Sequence, residues 1–123
     1  MREQAAGGVG RESGFEALVA QLKSKNASVR AKAAEALGAA GADAVPHLNY
    51  LAATDPEWTV RGAAVRSLGR IGPAAKAALP TLTGFLNYNC QQVTVATAEQ
   101  MRIEAACEDT KRDTKEALPK IQR

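Results

Sequence analysis

The sequence predicts an all-α protein, a right-handed α-solenoid of about three short helical-hairpin repeats, and three observations carry that expectation. The first is internal repetition. Val29-Arg30-Ala31-Lys32-Ala33-Ala34-Glu35-Ala36-Leu37-Gly38 returns as Val60-Arg61-Gly62-Ala63-Ala64-Val65-Arg66-Ser67-Leu68-Gly69, 31 residues further on (60 − 29), and self-similarity at such a period marks a helical array. The second is periodicity within each copy. Val29, Ala33, Leu37 and Ala40 recur every three or four residues, as do Val60, Ala64, Leu68 and Ile71, which is one face of a helix. The third is a landmark that appears three times: Ala44-Val45-Pro46, Ala78-Leu79-Pro80 and Ala117-Leu118-Pro119. A proline tolerated in a first helical turn marks the start of each second helix. Aromatic residues make up only 4% of the chain, so the core is expected to be aliphatic and alanine-rich, closed by tight helix contacts.

Taken in order, residues 1–13 hold glycines and almost nothing to bury, and read as a flexible leader. Ser13 and Glu16 have the spacing of a capping box, which would start a helix at Gly14 or Phe15. Phe15, Leu18, Val19 and Leu22 give that helix an apolar stripe, so residues 14–25 form a half-repeat covering the end of the stack. Repeat 1 occupies residues 26–54, with Asn26 capping its first helix and Asp43 its second. Repeat 2 occupies 55–88, opening on Asp55 as cap and Pro56 at the first helical position. Residues 89–123 form a divergent C-terminal repeat. Aligning Val93 with Val60 places Met101 where Leu68 packs, and predicts a first helix near 91–108 followed by a polar last helix.

Composition excludes more than it selects. The net charge of +3 is mild; it permits an acidic partner without requiring nucleic acid. No apolar run reaches membrane-spanning length. Cys90 and Cys107 have no metal-ligand spacing, and with His47 as the single histidine no zinc set can be assembled. Two free thiols in a reducing compartment are the expectation for these cysteines, and because Met1-Arg2-Glu3-Gln4 opens no signal peptide, a cytoplasmic protein is the default reading, with no cofactor or metal expected. Nor is there a serine–histidine–acid set or a phosphate-cradling glycine loop, so the chain reads as non-catalytic.

The pattern Val-Arg-x-x-Ala-Ala-x-x-Leu-Gly-x-Ile-Gly, followed by Ala-Leu-Pro-x-Leu, resembles the short HEAT-like repeats first grouped with bilin lyases. The period of 31 fits that subclass better than the roughly 40–47 residues of longer HEAT repeats. The resemblance is close over residues 26–88 and looser on either side. It implies an armadillo-type array whose second helices line a concave face. It says little of function, because such repeats serve as scaffolds, chaperones, lyase subunits and nucleic-acid binders. Di-iron hydroxylases on this architecture need several His-Glu pairs, which are missing here. A glycosylase would want a strongly basic groove, which is missing too.

Candidate site residues fall into two sets. His47, Tyr50, Asn87 and Tyr88 are placed on the second helices, which the resemblance implies form a polar, nearly uncharged inner wall, with Trp58 as a candidate anchor beside it. Trp58 has a second reading, as a plug filling the gap next to the preceding helix. Arg30, Arg61, Arg66 and Arg70 form the other set. Arg30 and Arg61 occupy equivalent positions, so they either stack into an anion-binding stripe or form inter-repeat ion pairs with Asp55 or Glu57. The reading that follows is a protein or peptide-binding scaffold. A phosphate or nucleic-acid binder using the arginines is one alternative, and a chaperone-like subunit of a bilin-lyase type system is another.

Overall fold

The computed structural model describes residues 10–91 and 97–123. It is helical throughout, with no strand among the described residues. The elements in chain order are α1 (Gly10–Gln21), α2 (Ala27–Leu37), α3 (Val45–Thr54), α4 (Trp58–Ile71), α5 (Leu79–Leu86) and α6 (Ala98–Gln122). Two 3₁₀ segments, Gly41–Ala44 and Gly72–Ala78, lead into α3 and α5. Gly41 and Gly72 have φ of 76° and 81°, a region that glycine enters without steric cost. They turn the chain at the end of each first helix.

Local starts follow the sequence in part. Asn26 caps α2, its Oδ1 accepting from the N–H groups of Ser28 and Val29 at 2.8 and 3.4 Å. Pro46 and Pro80 sit in the first turns of α3 and α5. Three expected starts move. α1 begins at Gly10 rather than Gly14, because glycine alone does not stop a helix that Arg11 and Glu12 favour. The remainder of the leader, 1–9, lies outside the described residues. Asp43 falls inside the 3₁₀ turn and makes no capping bond to α3. Asp55 accepts from Glu57 N–H at 2.9 Å in a local turn, which delays α4 to Trp58.

The first-type helices α2, α4 and α6 stack side by side. Ser67 Oγ donates to Ala34 O at 2.6 Å, joining α4 to α2. On the other side of α4, Gly69 lies so close to Ala117 that a Cβ there would stand 2.9 Å from the alanine's own. The order of contacts, Arg66 with Asp113 and Gly69 with Ala117, makes α4 and α6 parallel. Each second-type helix packs on the next first-type helix: α1 on α2, α3 on α4 and α5 on α6. Leu37, Leu48, Val60, Val65, Leu68, Leu82 and Ile121 are fully buried in the resulting core. Each such side chain contributes about 1.5–3 kcal/mol.

The C-terminal unit departs from expectation. In place of two helices broken after 108 there is one helix of 25 residues. Ala117-Leu118-Pro119 lies near its end, against α4, and does not open a second helix. The residues that pack on the core are Cys107, Thr110, Thr114, Ala117 and Ile121, spaced 3, 4, 3 and 4 apart. Met101, expected at the Leu68 position, is 59% exposed, while Val93 lies outside the described residues. The helix therefore supplies the third first-type position with its second half, and its first two turns extend beyond the start of α4.

Candidate partner-binding face

The two second-type helices that follow full first-type helices, α3 and α5, carry no Asp, Glu, Lys or Arg. Their solvent sides are matching stripes. Pro46, Tyr50 and Thr54 are exposed along α3; Pro80, Thr83 and Gly84 are exposed along α5, with Asn87 and Tyr88 just past its end. The spacing of four puts each set on one helical face. Thr54 Oγ1 donates to Tyr50 O at 2.7 Å, and Thr83 Oγ1 to Leu79 O at 3.1 Å. With those hydroxyls turned back to the backbone, the face offers ring surface, amide and phenol rather than charge. Tyr50 projects furthest, at 71% exposure.

Two other residues expected on this face are engaged within the fold. His47 is half-buried, with the Phe15 ring edge-on at 5.8 Å, so α1 covers it. Trp58 is half-buried in an aromatic cluster, with Phe85 at 5.8 Å, Tyr88 at 4.8 Å and the Arg61 guanidinium 4.5 Å from its ring centroid. Its carbonyl accepts from Thr110 Oγ1 at 3.1 Å. Trp58 thus fills the corner where α4, α5 and α6 meet, and it holds Tyr88 in place. Lys111 Nζ secures the same corner by donating to Tyr88 O at 3.0 Å.

The expected free thiols are also found here, and they are not free. Cys90 and Cys107 form a disulfide, with both residues buried. The segment leaving α5 passes alongside α6, which brings together cysteines 17 residues apart in sequence. Nothing in their spacing predicts the pairing. Beyond the disulfide, the free turns of α6 and the start of α4 enclose a cleft of about 450 Å³ that includes Trp58, Arg102 and Ile103.

All four candidate anion-binding arginines have protein partners. Arg30 Nε and Nη2 reach the two carboxylate oxygens of Asp55 at 2.7 and 3.1 Å, and Nη1 donates to Ser24 O. The hydrogen bond to Asp55 raises the Arg30 guanidinium further above its ordinary value. Arg61 Nε donates to the backbone carbonyl of the same Asp55. The two equivalent arginines therefore converge on one residue rather than forming a stripe. Arg66 bridges Glu35 at 3.1 Å and Asp113 at 2.8 Å, linking α2, α4 and α6. Arg70 Nη1 donates to Glu35 O at 3.0 Å. No cluster of three metal-ligating side chains occurs among the described residues. None of their helices is long and apolar enough to cross a membrane.

A family model described as HEAT repeats matches residues 4–102. No curated protein and no solved structure matches the chain.

Proposed function

Because the chain belongs to the HEAT-repeat family, whose members commonly serve as protein-interaction scaffolds, we propose that it is a non-catalytic binding module. It presents the second-type helices to a protein or peptide partner. The observation that carries this reading is the contrast between helix classes. Every charged side chain between Val45 and Asn89 lies outside α3 and α5, and their exposed stripes align from one repeat to the next. Such a surface suits a partner that brings apolar and amide groups, with tyrosines giving large contact area at low entropic cost. The family's non-catalytic habit and the absence of a catalytic set in the sequence support the same reading. The short period favours the bilin-lyase type subclass, while no residue here speaks for a chromophore.

The phosphate or nucleic-acid alternative draws less support, since Arg30, Arg61, Arg66 and Arg70 each already serve an acid or a carbonyl. The buried disulfide also bears on where the protein works. It favours an oxidising setting over the cytoplasmic one, because cytosolic thiols are kept reduced. The test is affinity capture from the source lysate with wild type and with Thr83→Arg, at low and raised salt. Retention of a partner that resists salt and is lost on placing a charge in the stripe is expected. Retention by Thr83→Arg, combined with steep loss in salt, would favour the arginine reading.

A further inference from the structure

The chain leaving α5 is held against α6 by one covalent bond and little else. Its last backbone tie to α5 is the Tyr88 N–H, which donates to Phe85 O at 3.1 Å. Residues 89–91 are irregular, with Asn89 Oδ1 accepting from the Gln91 N–H at 3.0 Å in a turn about Cys90. On α6 the grip comes from Cys107, Thr110 and Lys111, whose spacings of three and four from Cys107 put them on one face. Cys107 is bonded to Cys90, Thr110 donates to Trp58 O, and Lys111 donates to Tyr88 O. The lysine bond faces solvent, so water competes for it and its net contribution is small. The disulfide is the strong tie. It lies two residues from a ring of the proposed binding face (90 − 88).

The core keeps its packing when this bond opens. Gln91 and residues 97–106, the described part of the loop that it closes, include no buried residue. The buried stripe of α6 continues through Thr110, Thr114, Ala117 and Ile121, and Phe85 stays in the core beside Trp58. We propose that the Cys90–Cys107 disulfide is a redox latch on the partner-binding face. Closed, it seats Tyr88 against Trp58; open, it frees the segment and lets the ring leave. The proposal rests on the reading of that face as the binding surface. The reductant is a dithiol. Its thiolate attacks Cys90 Sγ, because Cys90 is on irregular chain and 6% exposed against 1% for Cys107. A mixed disulfide forms, the Cys90–Cys107 bond breaks, and Cys107 leaves as a thiolate and takes a proton. The second thiol of the reductant then displaces Cys90. The dithiol ends oxidised to its own disulfide, and its two electrons and two protons end on the two cysteines.

The test treats the full chain with dithiothreitol in native buffer and follows Trp58, the single tryptophan, by fluorescence. Release of two thiols, a red shift of Trp58 emission and an unchanged far-UV circular dichroism spectrum are expected. Cys90→Ser with Cys107→Ser should show the shifted emission without any dithiol. Tyr88→Ala should show it while still oxidised, with little further change on reduction. In affinity capture, the double-serine protein should hold the partner of the oxidised wild type about tenfold more weakly, as for the loss of one aromatic contact. Thiols that appear only in denaturant would overturn the proposal, as would a reduction that leaves Trp58 unchanged or one that melts the helices. A partner held equally by both proteins would overturn it too, while the binding-module reading stands. A Trp58 response with no partner on either protein would instead sink that reading, and the latch's role with it.

Discussion

Asp55 is the residue on which the junction between repeats turns. Its carboxylate takes both Arg30 nitrogens and the N–H of Glu57, while its carbonyl takes Arg61. One buried acid thereby ties the turn before α2, α2 itself and the start of α4. Its side chain is only 3% exposed, so removing the arginine leaves a carboxylate with little access to water. Arg30→Ala is expected to lower stability by about 1–3 kcal/mol. Arg30→Lys should recover little of this, since a lysine cannot reproduce the two-nitrogen fork. Urea midpoints decide the matter; an unchanged midpoint for Arg30→Ala would show that the pair is idle. Gly69 makes a second prediction at this scale. Its closest approaches are 2.9 Å to Ala117 Cβ and 3.2 Å to Ala117 Cα, and backbone cannot swing aside as a long side chain would. Gly69→Ala should cost about 1–3 kcal/mol through overpacking, whereas an alanine at Gly84, with nothing near it, should not.

At the scale of elements, legibility tracked how apolar each buried stripe is. α2 and α4 were readable because Leu37, Val60 and Leu68 recur at helical spacing, and the repeat placed them twice. α6 was misread for the converse reason. Its buried stripe is Cys107, Thr110, Thr114, Ala117 and Ile121, polar or small at four of five positions. The large apolar residues Met101 and Ile103 lie on its exposed turns. Thr110 and Thr114 can be buried because their hydroxyls donate to Ala106 O and Thr110 O in the preceding turn, a compensation that periodicity cannot reveal. The disulfide was equally hidden, since it depends on where α6 passes the end of α5. Replacing both cysteines by serine is expected to lower stability by about 3 kcal/mol, as for a closed loop of this length. In the intact protein, amides 99–105 should exchange before those of 107–121, because only the latter face the core. Equal protection along all of α6 would show that its free turns are held by something else.

Across the whole molecule, the division of labour between helix classes was visible in the sequence, but the engagement of individual residues was not. The absence of charge from α3 and α5 could be counted directly. That Phe15 covers His47, or that Trp58 holds Tyr88, needed the stack, because each contact joins segments at least 30 residues apart (47 − 15; 88 − 58). This separates the two tyrosines that bear the proposed function. Tyr50 is 71% exposed, whereas Tyr88 is 37% exposed with its ring 4.8 Å from Trp58. An aromatic pair of this kind contributes about 0.5–1.5 kcal/mol beyond the area it buries. Tyr88→Ala is therefore expected to lower both the melting temperature and the affinity for the partner. Tyr50→Ala should lower affinity alone, and the double variant should abolish binding while the helical content persists. Affinity and melting temperature measured side by side on the three variants separate the contributions. Normal binding by the double variant would remove the second-helix face from consideration. If Arg30→Ala then lost binding without losing stability, recognition would pass to the arginines.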